Sequence, residues 1–270
     1  MGKVSHDNPT DSHSPSFRII AHCGASAYVP ENTLAAFQLA LEMGVTEIET
    51  DVRLTSDGVA VLSHDNTLER YGHGALTVEE LTWAEVSQLD MGSWFSPHLH
   101  HDKRLLTLDA LFAHFGDQLT YHVELKGKTP GLAAATHALI AHHGLAANCF
   151  ITSFMFESLV DMHAVDATMR LGWLITAIDD DAIAKASALG LFQLCPRANA
   201  VTEAMVDRAR AAVTEVRAWG LNGDQTAQQA ADVQALIHRV LAAGCDGMTI
   251  NWPTGCGAVV SRQSSVDSRQ

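Results

Sequence analysis

Apolar and polar positions along this chain alternate between two periods. Residues Arg18–His22 (RIIAH) form a short apolar run that ends in polar side chains, which predicts a strand. Residues 33–43 carry the three-to-four-residue spacing of a helix, with Thr33 near the start and Gly44 after the end. Residues 46–52 predict a second strand. Residues 59–64 predict another extended run, after the turn signal Ser56-Asp57-Gly58. Residues 107–115 read as a helix and 120–125 as a strand ending in charge. From there the pattern repeats: helices over 131–143, 156–165, 180–188, 202–212 and 225–243 alternate with strands over 149–152, 170–175, 191–194, 213–218 and 247–250. Principal strands starting at 18, 46, 120, 149, 170, 191, 213 and 247 make eight β-then-α units, which predicts an α/β fold, a closed (β/α)8 TIM barrel. An open, doubly wound sheet is the alternative. It usually has fewer strands and a glycine-rich first turn, and no GxGxxG occurs here.

Residues 66–105 break the rhythm. They hold Trp83, Trp94, Phe95 and several histidines, with little pattern beyond a short helix near 78–88. They read as a small insertion after the second strand. Long insertions of this kind tend to be functional lids, and a solvated surface excursion is the plainer alternative. The chain of 270 residues, 47% of them apolar, is long enough for one large core. It divides into a flexible tail over 1–16, one barrel domain over 17–260 and a second tail over 261–270.

Charge narrows the partners. Thirty-one acidic residues against 17 basic ones give a net charge of −14, and there is no cluster of Lys and Arg. That excludes a nucleic-acid binder and argues against attraction to anionic membranes. A phosphate-bearing small molecule remains open where a cation reverses the field locally. Five cysteines without a CxxC pair fit reduced thiols in a cytoplasmic protein. The first 16 residues lack the apolar stretch of a signal peptide, and no run has transmembrane length. Composition leaves room for a homo-oligomer.

In a (β/α)8 barrel the reactive groups sit at the C-terminal ends of the strands. Strand one ends at His22, strand two in Glu49-Thr50-Asp51, the next extended run in His64-Asp65, and the following strand in Glu124-Leu125-Lys126. Side chains two apart share a face, so Glu49 points with Asp51, and Glu124 with Lys126. Three converging carboxylates repel unless neutralised, and a hard divalent cation such as Mg2+ or Ca2+ with oxygen ligands does this. Surface carboxylates paired with Lys or Arg are the plainer reading. Of fifteen histidines, most fall in tails, loops or helix ends, whereas His22 and His64 close strands at one barrel face. Such a pair can serve as general acid and general base.

These residues resemble a known family. His22-Cys23-Gly24, Pro30-Glu31-Asn32-Thr33, Glu49-x-Asp51, Asp57-Gly58, His64-Asp65 and Glu124-Leu125-Lys126 are similar to the glycerophosphodiester phosphodiesterase pattern HRG…PENT…E-x-D…DG…HD…E-[IL]-K. Ser153-Phe154, Trp219 with Asn222, and Gly244-Cys245-Asp246-Gly247 extend the resemblance over about 18–253. It implies a barrel with a small insertion after the second strand. It also implies a divalent metal held by Glu49, Asp51 and Glu124, His22 and His64 as the acid–base pair, and hydrolysis of glycerophosphodiesters to an alcohol and glycerol 3-phosphate. Lys126 would contact phosphate, Glu31 and Asn32 would support the site, and Trp94, Phe95 and Trp219 would contact the substrate.

Cys23 is the main departure, because the family usually has an arginine there to bind phosphate. A thiol offers one weak donor in place of a fixed charge with several. Losing such a hydrogen bond costs on the order of 1.5–3 kcal/mol, roughly one to two decades in rate or affinity. A nearby metal or Lys126 would lower the thiol pKa, and a thiolate would repel phosphate or act as a soft ligand. A slower enzyme of the usual kind, an altered substrate and a non-catalytic binding relative all follow from this exchange. An altered substrate includes a lysophospholipase D-like activity, with an apolar groove from residues 66–105. Asn251, where the family usually has Asp, and Leu106, where it often has Pro, are smaller departures.

Overall fold

The computed structural model describes residues 17–221 and 227–253. The expected tails over 1–16 and 261–270, and Asn222, lie outside the described residues. The strands are β1 (Arg18–His22), β2 (Glu47–Leu54), β3 (Ala60–Leu62), β4 (Thr120–Leu125), β5 (Cys149–Ser153), β6 (Arg170–Ile175), β7 (Gln193–Pro196), β8 (Glu215–Leu221) and β9 (Gly247–Ile250). The helices are α1 (Leu34–Glu42), α2 (Trp83–Val86), α3 (Leu108–Phe115), α4 (Leu132–His143), α5 (Phe156–Val165), α6 (Asp180–Leu189), α7 (Glu203–Ala209) and α8 (Ala227–Ala242). β1 pairs in parallel with both β2 and β9, so the ring β1-β2-β4-β5-β6-β7-β8-β9 closes. This is the eight-stranded (β/α)8 barrel that the pattern predicts. No helix among the described residues is long and apolar enough to cross a membrane.

Strand alternation sorts the side chains. Ala21, Ile48, Val52, Val123, Ile151, Leu194, Val216 and Met248 face outward and are buried beneath the helices in one continuous core. The inward positions are strongly polar. At the N-terminal end of the barrel, Glu47 accepts a hydrogen bond from His122 Nε2 at 2.9 Å, and Arg18 bonds Glu215. Gln193 Nε2 donates to Glu215 at 2.8 Å, and the His122 ring stacks on Phe150 at 4.6 Å. Buried charges at this end are therefore paired, as desolvation requires.

β7 and β8 each start two residues later than the apolar runs predict. Leu191 and Val213 are buried yet precede the ladders. Burial beneath the barrel produces the same apolar signal as strand membership. The short helix expected near 78–88 is instead a 3-10 turn at Val78–Glu80 followed by α2. Thr77 with Glu80, and Thr82 with Glu85, form successive capping boxes that start each segment afresh. The insertion has a small core of its own, including Leu68, Tyr71, Val78, Val86 and Met91.

The turn after β1 is tightly constrained. Cys23 and Gly24 have positive φ, at 51° and 82°. A Cβ at Gly24 would stand 2.6 Å from the Ala36 carbonyl carbon, so this glycine lets α1 close on the turn. Gly24→Ala is expected to destabilise the protein by about 2–4 kcal/mol, combining strain with overpacking. Denaturant unfolding of the two proteins checks this.

Candidate functional site

Glu49 and Asp51 project inward from β2, and Glu124 does so from β4, where it pairs in register with Asp51. One carboxylate oxygen from each lies within 4.8 Å of the others, and all three side chains are buried. The electrostatics follow from this crowding. Burial, then Asp51 and Glu124, push the Glu49 pKa well above the ordinary carboxyl range. Burial likewise pushes Glu124 up to about 7, against the pull of Lys126. Burial opposes ionisation of Asp51 too, but Lys126, His64 and His22 outweigh it and hold that carboxyl low. Lys126 Nζ stands 2.8 Å from Glu124 Oε1 and 3.2 Å from Asp51 Oδ1. Glu49 Oε1 and Asp51 Oδ1 are buried without a directed hydrogen bond, the Lys126 approach to Asp51 being a charge contact only. An all-oxygen donor set with two buried acceptors lacking hydrogen-bond donors fits a hard divalent cation.

The loops around these carboxylates hold them in place. Asn32 Nδ2 donates to Asp51 Oδ2 at 3.1 Å, while Thr50 on the outer face of β2 donates to Asn32 Oδ1 at 2.8 Å. Asn32 adopts φ 53°, and its backbone N–H reaches Cys23 O at 3.0 Å. Cys23 differs from expectation. Its side chain is buried and absent from the cavity lining, and its Sγ donates to Asp51 Oδ2 at 3.1 Å. Its backbone N–H reaches Glu49 Oε2 at 3.2 Å. Burial, then Asp51 and Glu49, raise the thiol pKa well above its ordinary value. The thiolate that a neighbouring Lys126 would favour is replaced by a neutral thiol, because the groups touching it are carboxylates. Position 23 thus supports the carboxylates and does not face the substrate space.

His64 reaches the mouth by an unexpected route. β2 runs past the barrel rim, and β3 returns antiparallel to it, with Val52 opposite Leu62. His64 follows this downward strand, where the Ser63 N–H bonds Asp51 O at 3.0 Å. Arg53 clamps the segment: its Nε donates to Ser63 O at 3.1 Å and its Nη2 to His64 O at 3.2 Å. His64 Nδ1 donates to Asp65 Oδ1 at 2.8 Å, which leaves Nε2 as the free ring nitrogen. Arg70 bonds Asp65 at 2.7 Å and Glu31 at 2.8 Å, and Tyr71 Oη donates to Glu31 at 2.7 Å. The His22 and His64 rings lie 5.4 Å apart, edge to face. Burial pushes His22 down to about 4, with Asp51 opposing and His64 and Lys126 adding to the shift, so His22 is neutral at pH 7.

These groups line a cavity of about 360 Å³. His22, Glu31, Glu49, His64, Glu124 and Lys126 form one side, and Phe154, Leu174 and Trp219 form an apolar wall opposite. Trp219 is fixed by its Nε1–H to Ile175 O at 3.0 Å and by the Phe154 edge at 4.8 Å. Trp94 and Phe95, expected in the wall, lie outside the lining. Trp94 packs behind Arg70, 5.5 Å from its guanidinium, and Phe95 packs on Trp94. The insertion reaches the cavity through Arg70, and these aromatics brace Arg70 from behind. Arg53, Arg70 and Arg217 carry no signal in the sequence, whereas Asn251, noted there as a departure from the family pattern, borders the cavity. Asp65 and Phe154 were visible in dipeptides but carried no periodic signal of their role.

Comparison with known proteins agrees with this geometry. The sequence profile of the glycerophosphoryl diester phosphodiesterase family matches residues 22–254. A glycerophosphodiester phosphodiesterase of Bacillus subtilis is 32% identical over 174 residues, which cover 58% of this chain and 59% of that protein. One from Caldanaerobacter subterraneus is 35% identical over 160 residues, covering 58% of this chain and 65% of the relative. The matched stretches thus span less than two thirds of these relatives' own lengths. A phosphodiesterase from Oleispira antarctica, solved in complex with the product sn-glycerol 3-phosphate, superposes with a TM-score of 0.77 at 26% identity over 93% of this chain and 96% of its own. With its family profile matched over residues 22–254 and His22, His64, Glu49 and Glu124 of that pattern lining one cavity, the chain belongs to the glycerophosphoryl diester phosphodiesterase family.

Proposed function

We propose that this protein hydrolyses glycerophosphodiesters to an alcohol and sn-glycerol 3-phosphate, with Glu49, Asp51 and Glu124 holding a divalent cation, Mg2+ or Ca2+. The carrying observation is the meeting of three buried carboxylates within 4.8 Å beside two histidines whose rings are 5.4 Å apart. Family membership and the product named for the Oleispira antarctica relative support the same reading. A divalent cation held there supplies Lewis-acid stabilisation of the phosphoryl oxygens. His22, neutral at pH 7, takes the proton of the attacking hydroxyl, whether from water or from the substrate's own glycerol. His64, its Nδ1–H held by Asp65, acts as the imidazolium and gives its second proton, on Nε2, to the departing alkoxide. Lys126 contacts the phosphate from beside Glu124. Glu31 anchors Arg70, and Asn32 aims Asp51. Trp219 shapes the side that receives the alcohol.

One observation favours an activity on lipid as a second reading. The apolar wall of Phe154, Leu174 and Trp219 would suit an acyl-bearing substrate, and it comes from the β5, β6 and β8 ends, where residues 66–105 were expected to supply it. Turnover of a lysophospholipid compared with its deacylated product distinguishes the two. Substrate binding without turnover at high enzyme concentration would instead indicate a non-catalytic relative.

Chelation is expected to abolish hydrolysis of glycerophosphocholine or glycerophosphoethanolamine, and Mg2+ or Ca2+ to restore it. His22→Ala and His64→Ala are each expected to lower kcat by on the order of a hundredfold or more. Near-normal kcat in either variant would remove that histidine from the proposal.

Cation affinity is expected to rise with pH. Without a cation, burial raises the Glu49 pKa and puts Glu124 at about 7, so at pH 6 Glu124 holds a proton that the cation must displace. By pH 8 Glu124, near 7, is largely ionised. Calorimetry at the two pH values should show tighter binding at pH 8 and net proton release at pH 6, and affinity independent of pH would contradict the assignment.

A further inference from the structure

Among the described residues, three cationic side chains line the cavity, and they differ in what neutralises them. Lys126 lies against Glu124 and Asp51, and Arg70 is held by Glu31 and Asp65. Arg217, on β8, has no carboxylate at ion-pair distance among the described residues. Its Nη1 donates to Thr249 Oγ1, and its Nη2 donates to the weak acceptor Cys195 Sγ at 3.6 Å. Its Nε is buried with no partner, and the whole residue is 1% exposed. A guanidinium carries five N–H donors in a planar fork, and burying it without an anion is costly. The side chain shares the inward face of β8 with Trp219, two residues on, and both border the same cavity.

The vacancy it matches is on the other side of the mouth. Cys23 stands where an arginine would bind phosphate, yet its thiol is turned to Asp51 and does not line the cavity. Of the cations lining the cavity, Arg217 is the one with no carboxylate at ion-pair distance among the described residues, and its Nε has no partner there. We propose that Arg217 supplies the guanidinium that Cys23 lacks, donating from the cavity floor to a non-bridging oxygen of the substrate phosphate. The inference rests on the phosphodiesterase reading above. It makes Arg217 a binding residue for the phosphate and, through the planar fork, a determinant of how the diester is oriented. Its charge also favours ionised Glu49, so the test must separate an effect on phosphate from an effect on the cation.

The test uses the full chain at saturating Mg2+ or Ca2+, with sn-glycerol 3-phosphate and inorganic phosphate as probes in calorimetry. In Arg217→Met both probes are expected to bind about tenfold or more weakly, with the cation dissociation constant within about twofold of wild type. Should Arg217→Met fail to fold, Arg217→Lys decides: it keeps the buried charge, loses the fork, and is expected to weaken both probes several-fold. Unchanged probe affinity in the folded variants, or a loss matched by an equal loss of cation affinity, overturns the proposal. A wild type that neither hydrolyses a glycerophosphodiester nor binds sn-glycerol 3-phosphate overturns the proposed function itself.

Discussion

Glu49, Asp51 and Glu124 repel one another at the barrel mouth, and much of the surrounding structure exists to keep them together. Their inward placement follows from the pleat of β2 and from the parallel register that sets Asp51 opposite Glu124. Burial then raises the cost of ionising them, most of all for Glu49. Lys126, on the same face as Glu124, offsets part of that cost, and Asn32 and Cys23 give Asp51 two side-chain donors. Both of those donors stand at positive φ in the loop between β1 and α1, so backbone strain in that loop is spent on aiming at a single carboxylate. An acidic set that remains short of donors after all this is a set matched to a cation.

The histidines are held by different means. His22 ends β1 and is positioned by the barrel itself. His64 depends on the hairpin that carries the chain back beside Asp51, on Arg53 clamping its backbone, and on Asp65 fixing its ring. Arg70 links that pair to Glu31 and is braced by Trp94, so the insertion contributes geometry to the reacting centre even though its aromatics never touch the cavity. The contrast in polarity between the acidic side and the apolar wall of Phe154, Leu174 and Trp219 gives the cavity two chemically distinct halves, one suited to phosphate and one to the less polar end of a diester.

Much of this was legible before any coordinates. Eight apolar runs alternating with helical periodicity led to the closed barrel, and the i, i+2 rule placed Glu49 with Asp51. It failed where burial and strand membership diverge, as at Leu191 and Val213, and where successive capping boxes divided an apparent helix near 78–88. Aromatic content in the insertion suggested a pocket wall at Trp94 and Phe95. An aromatic residue packs equally well against a guanidinium from behind, and composition does not distinguish the two. Cys23 shows the same limit: the sequence revealed a missing arginine, while the direction of its thiol was a matter of which carboxylates fold against it.

What the sequence determined by itself is therefore the polar groups that close the strands and the architecture that brings strand ends to one rim, because side-chain alternation and element order are local properties of the chain. The tertiary structure alone decided how those groups are paired. It tied Lys126 and Arg70 to carboxylates, turned Cys23 away from the cavity and left Arg217 bordering it with no carboxylate at ion-pair distance among the described residues. Those pairings join residues far apart in sequence, and their strength depends on burial and on distances of a few ångströms, which exist only once the barrel has closed.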